Sequence, residues 1–214
     1  MILLPEWNIA EVPSLSLYTE VVHGDGFDLQ TQNFIYGMVK MEKEYFIKTG
    51  RIGFSYWTDT DLELATTLWG EKDVTHFISA TGEFTQQNII DRLSVEINNW
   101  KKYQVQYWPI FDLNTDELIG CCGLRPFQSE QHTYEIGFHL RKIYWGQGYA
   151  YEAATAVIHY ALKELNADKL YAGHHPLNIG SKKLLARLGF QYIGDNYYEP
   201  TGLFHPSYEL TELT

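Results

Sequence analysis

Three strand-like segments follow one another with little between them: YQVQYWPIF at 103–111, LIGCCGL at 118–124 and TYEIGFHL at 133–140. A parallel crossover needs roughly a dozen residues or more, and the polar stretch DLNTDE between the first two is far too short. The spacing therefore demands antiparallel hairpins. Around them the pattern switches to helical periodicity. RIGFSYW alternates Ile52, Phe54 and Tyr56, as a half-buried strand does. Thr60 to Glu63 forms a capping-box pattern ahead of Leu64, Ala65, Leu68 and Trp69. A second helix is expected from Thr85, with Ile89, Leu93, Ile97 and Trp100 on one face.

Downstream, Ala154, Val157, Ile158, Ala161, Leu162 and Leu165 recur at helical spacing, and Asn166 is placed to end that helix. KLYAGHH reads as a strand, after which Asn178 can cap a helix carrying Leu184, Leu185 and Leu188. Gly189 closes it, with Phe190 set to pack on Leu185. FQYIG and SYELTEL supply two last strands. The order β-α-α-β-β-β-α-β-α-β-β is that of an α+β fold, a mainly antiparallel sheet flanked by helices. One domain is expected over 45–214. Residues 1–44 form an extension, a loop followed by a helix with Phe34, Met38, Met41 and Tyr45 on one face. Its apolar stripe must cover this domain or a twofold partner.

A formal charge of −11 argues against nucleic-acid binding. No apolar run approaches the roughly 18 residues of a membrane span, and the start MILLPEWNIAEVPS has no signal-peptide pattern. Adjacent Cys121 and Cys122 point to opposite strand faces, so they are read as buried thiols in a reducing cytoplasm rather than a disulfide.

The stretch WGQGYAYEA places Gly146 and Gly148 between a strand and a helix. Glycine there either supplies the torsions of a tight turn or bares amides at a positive helix end for a diphosphate. Both readings fit the local pattern. A dinucleotide-binding turn does not, because its third glycine would fall on Tyr151 and its strands should be parallel.

In order along the chain, TGRIGFSYWTDTDLELATTLWG, YEIGFHLRKIYWGQGYAYEA and NIGSKKLLARLGF resemble the GNAT acyltransferase superfamily, above all the branch holding the ribosomal-protein N-terminal acetyltransferases. The resemblance implies a sheet whose central strands, TYEIGFHL and KLYAGHH, splay to form an acetyl-CoA cleft. It assigns acetyl-CoA to Phe138, Leu140, Arg141, Trp145, Gly146, Gln147, Gly148, Tyr149, Ala150, Asn178, Ser181 and Lys182. Two departures stand out. Ile143 replaces a common Gln or Arg, so that Arg141 and Lys142 would supply the charge, and Leu185 stands where many members place a tyrosine general acid.

Acyl transfer to an amine requires a proton acceptor, oxyanion stabilisation and a protonated leaving thiolate. By resemblance, Glu135 is the base, Asn178 holds the pantetheine region and Ser181 meets the sulfur. Glu135 shares a strand face with Gly137, whose bare backbone would leave room for a ligand, and with His139, a second candidate base. Glu152 is read as helix-dipole support, and Trp69, Trp100 and Trp108 as core. His174 and His175 diverge along a strand and are not read as metal ligands. The expected function is a cytoplasmic, acetyl-CoA-dependent N-acetyltransferase acting on a primary amine, first a protein N-terminus, then a polyamine or antibiotic amine. The rival is a catalytically silent acyl-CoA sensor or scaffold. The segments between Val74 and Phe84 and near Tyr197–His205 are expected to shape the acceptor pocket.

Overall fold

The computed structural model describes residues 43–127 and 132–211; the expected helix over 34–45 lies almost wholly outside the described residues, and its described part, Lys43 to Tyr45, is not helical. Among the described residues eight strands form one sheet: β1 (Ile47–Lys48), β2 (Ile52–Phe54), β3 (Tyr107–Asp112), β4 (Leu118–Pro126), β5 (Thr133–Leu140), β6 (Lys169–Gly173), β7 (Gln191–Tyr198) and β8 (Leu203–Leu210). Their spatial order is β1-β2-β3-β4-β5-β6-β8-β7. The β3–β4 and β4–β5 hairpins are antiparallel, as their short connections require.

Successive strand residues face opposite ways, and helices cover both faces. Cys122 packs with α4 (Tyr149–Lys163), whose small Ala153, Ala154 and Ala161 let the helix lie close on the sheet. Cys121 packs on the other side, with α1 (Leu62–Trp69), the short α2 (Lys72–Thr75) and α3 (Gln86–Tyr103). Both cysteines are free and buried. This double cover corrects one expectation: β2 is buried along its whole length rather than half-buried.

Thr85 caps α3 as its sequence implies, accepting from the Asn88 amide while Asn88 reaches back to the Thr85 amide. The pattern at Thr60 does not form a capping box. Asp61 takes the N-cap place of α1 without capping it, because its carboxylate instead accepts from the Thr58 amide and hydroxyl, each at 2.7 Å. Gly189, at φ +89°, ends α5 (Ile179–Arg187), and the Phe190 amide closes back on the Leu185 carbonyl. Neither β1 nor α2 was legible in the sequence, since elements of two and four residues show no periodicity.

The feature that positions the site lies between β5 and β6. They run parallel because α4 supplies the crossover. They pair only at Thr133–Lys169, Tyr134–Leu170 and Glu135–Tyr171. Beyond Glu135 the two strands part.

Candidate active site

The parting strands open a cleft of about 1050 Å³. Glu135, the last residue of β5 paired with β6, stands at its vertex. Phe138, Leu140, Trp145, Gly146, Gly148 and Ala150 line one arm, and Asn178, Ser181 and Leu185 line the facing helix. Phe77, Ile78, Tyr198 and His205 enter from the two segments expected to shape an acceptor pocket. Of the other expected cofactor residues, Arg141, Gln147, Tyr149 and Lys182 do not line the cleft with their side chains; Lys183 does so in place of Lys182.

The glycine turn answers to both physical readings. Gly146 and Gly148 have φ of +73° and +84°, so the torsions alone demand glycine. Yet a Cβ on Gly146 would meet nothing within 4 Å. The amides from Gly146 through Tyr151 donate to no described acceptor. Open space over unpaired amides at a helix start suits an anion.

A brace from far upstream holds this turn. Arg51 donates to the Gln147 carbonyl at 3.1 Å, lies 4.1 Å over the Tyr149 ring, and forms an ion pair with Glu152 at 2.7 Å. Glu152 also accepts from the Thr49 hydroxyl and the Arg51 amide, so its carboxylate is spent on structure. Tyr149 turns inward, its hydroxyl donating to Asp112 at 2.6 Å, which helps hold the Asp112 carboxyl low. Arg141 is held by Glu71 at 2.8 Å and Lys142 by Asp73 at 3.0 Å, so much of their charge is already met.

On the vertex side, Glu135 Oε1 accepts from the Tyr107 hydroxyl at 2.9 Å, and Oε2 has no described partner. Burial, then the Glu135 charge, pushes the Tyr107 phenol well up, so it stays a protonated donor. Tyr107 also corrects the reading of Gly137. A Cβ there would sit 2.2 Å from the Tyr107 ring, so the missing side chain makes room for Tyr107 and not for a ligand.

His139 is half-buried in the cleft wall, and its Nδ1 accepts from the indole of Trp69 at 3.2 Å. Its proton therefore sits on Nε2, and burial followed by the nearby Arg92 and Arg125 drives its pKa well down. A ring in that tautomer, with Nδ1 sealed, is badly placed to take a proton. Asn178 caps α5 by accepting from the Ser181 amide at 3.0 Å, while the Ser181 hydroxyl has no described partner. Leu185 is buried in the cleft wall, 1% exposed, with no acid to offer.

Beneath the vertex lies a charge cluster that sequence reading missed. Glu96 is fully buried and accepts from Arg92 at 2.9 Å, from the Tyr107 amide at 2.9 Å and from Arg125. One signal was available. Glu96 falls on the apolar face of Leu93 and Ile97, where a lone carboxylate demands partners.

Against known proteins, a family model described as an acetyltransferase (GNAT) domain matches residues 51–191. The uncharacterized N-acetyltransferase p20 of Bacillus licheniformis is 33% identical over 135 residues, 63% of this chain and 75% of that protein. The ribosomal protein uS5-alanine N-acetyltransferase of Escherichia coli is 32% identical over 89 residues, 41% of this chain and 46% of that one. Among solved structures, a ribosomal L7/L12 alpha-N-protein acetyltransferase in complex with coenzyme A superposes with a TM-score of 0.65 at 13% identity, covering 76% of this chain and 95% of that one. At that identity the likeness speaks for the fold alone. The family match spans well over half of the sequence, and its segment holds the vertex, the glycine turn and the capped helix: the chain belongs to the GNAT acetyltransferases.

Proposed function

We propose that this N-acetyltransferase moves the acetyl group of acetyl-CoA directly onto a primary amine at the vertex of the splayed strands, and that the amine is the N-terminus of a protein or peptide. The observation that carries the reading is the position of Glu135, the last β5 residue paired with β6, with one oxygen fixed by Tyr107 and the other without a partner among the described residues. The Gly146–Ala150 turn would take the diphosphate on its unpaired amides, and beyond Glu135 the edge of β5 that β6 has left would offer its backbone groups to the pantetheine. The name of the uS5-alanine relative supports a protein N-terminus as acceptor.

In the reaction the amine nitrogen attacks the thioester carbon and its proton passes to Glu135, directly or through one water. The carbon–sulfur bond then breaks, and the thiolate gains a proton relayed through a hydroxyl that solvent water reprotonates. The Ser181 hydroxyl is the free donor nearest in sequence to the capping Asn178, and it takes the part Leu185 cannot. No acyl-enzyme is needed. The test is acetyl-CoA consumption with a panel of amines, run on the wild type and on Glu135→Gln. Turnover that falls at least tenfold in the variant, with acetyl-CoA affinity kept, fits the reading. A wild type that binds acetyl-CoA and acetylates nothing would instead make it a silent acyl-CoA sensor, the reading that Leu185 favours.

A further inference from the structure

We propose that Arg92 and Arg125 form a subsite for a carbonyl or carboxylate oxygen carried on the carbon next to the acceptor amine. The inference deepens the reading above and rests on it for the place of the amine.

Arg125 is the cross-strand neighbour of Glu135 in the β4–β5 register, yet no ion pair joins them among the described residues. Glu96 draws Arg125 back from below and Arg92 with it. Vertex and guanidinium pair thus face the same cleft with a gap between them.

The nitrogens can be assigned one by one. Arg92 Nε and Arg125 Nη2 donate to Glu96. Arg92 Nη2 and Arg125 Nε are buried without a hydrogen-bond partner, the Arg92 guanidinium lying over the rings of Trp69 and Tyr107 and that of Arg125 over Tyr107. That leaves Nη1 of each arginine, both on residues that line the cleft, with no described acceptor. Burial alone would pull Arg125 down, but Glu96 and Tyr107 more than offset it, so the side chain keeps its charge.

The charges of the cluster sum to zero: two guanidiniums against Glu96 and Glu135. A free cation such as a polyamine gains only Glu135 and meets two like charges. A group with an amine on one side and an oxygen on the other spans the gap and matches both ends. That is the chemistry of an α-amino acyl group, whether the first residue of a peptide or a free amino acid.

The experiment compares acceptors of equal skeleton. Alaninamide carries a carboxamide where isopropylamine carries a methyl group, free alanine supplies a carboxylate, and spermidine supplies charge without oxygen. With each rate expressed per concentration of free amine, the wild type should prefer alaninamide or alanine over isopropylamine by roughly tenfold or more in kcat/KM, the worth of one charge-assisted hydrogen bond. Whichever of those two is preferred identifies a peptide end or a free amino acid as the source. In Arg92→Lys, which keeps a positive charge four residues from Glu96, the ratio should drop severalfold; in Arg125→Lys it should do the same. A merely structural role would lower both rates and leave the ratio unchanged.

Parity in the wild type, preference for spermidine, or an unchanged ratio in both folded variants overturns the subsite. Calorimetry with N-acetylalaninamide against N-isopropylacetamide reads the same preference without turnover. A protein that shows the preference in binding but acetylates no amine would keep the subsite and sink the enzymatic reading.

Discussion

Glu135 illustrates how much of a residue's role lies in its neighbours. Alternation along TYEIGFHL put it on a face with Gly137 and His139, and that face exists. What the alternation could not show is that Tyr107, 28 residues earlier, fills the space over Gly137 and fixes one carboxylate oxygen. If Glu135 accepts the amine's proton, the defect of Glu135→Gln should shrink as pH rises and free amine accumulates. A rate-against-pH comparison of the two proteins checks this, and a defect of constant size would argue against base chemistry.

His205 gives a second prediction at this scale. Burial, then His175 and His174, lowers its pKa from 6.5 to about 4, and its Nε2 lies 2.8 Å from the Thr201 hydroxyl. For a base whose folded pKa is depressed, folding favours the neutral ring. The stabilisation is whole above the unfolded value near 6.5 and is lost as pH falls towards 4. Urea midpoints should therefore decline across that window. His205→Gln, which can still bond Thr201, should show a shallower decline, the remainder belonging to other depressed histidines such as His175. Equal slopes in the two proteins would remove His205 from the account.

At the scale of the element, the turn from Trp145 to Tyr149 joins strand logic to helix logic. Its glycines were visible in the sequence because only a left-handed torsion or a ligand justifies two of them between a strand and a helix. The Arg51 brace was not visible, since the residues it touches lie about 100 positions away. Replacing Gly146 with Val should weaken CoA binding tenfold or more by covering the unpaired amides. The forced positive φ should also cost about 1 kcal/mol of stability. Calorimetric titration with CoA and a thermal melt separate the two effects. Unchanged affinity in a folded variant would show that the diphosphate sits elsewhere.

At the scale of the molecule, the sheet carries cores on both faces, but its margins are apolar. The edge hairpin exposes Tyr192, Ile193, Tyr197 and Phe204, each at about half of its area or more. At the opposite margin Tyr45, which is not helical, packs against Phe111 with ring centroids 6.0 Å apart, and it follows the apolar residues Phe34, Met38 and Met41 in the sequence. We expect those residues to continue the cover Tyr45 begins, on its own domain or on a second copy. A chain starting at Lys43 should lose solubility or change its mass in solution, as light scattering after gel filtration would show. The same solubility and the same mass would make residues 1–42 dispensable to the domain.

Hairpin connectivity, helix starts at Thr85 and Asn178, the Gly189 stop and the glycine turn were all legible in the sequence. Each depends on residues within a turn or two of one another, where chain geometry leaves few choices. The resemblance of the ordered blocks then named the family. The tertiary structure alone decided that Glu96 gathers Arg92 and Arg125 beneath the vertex, that Tyr107 and not a ligand fills the space over Gly137, and that Arg51 holds the turn. These contacts close between residues up to 101 positions apart. Such pairings leave no period in the chain, because what selects them is the desolvation of buried charge in the folded interior.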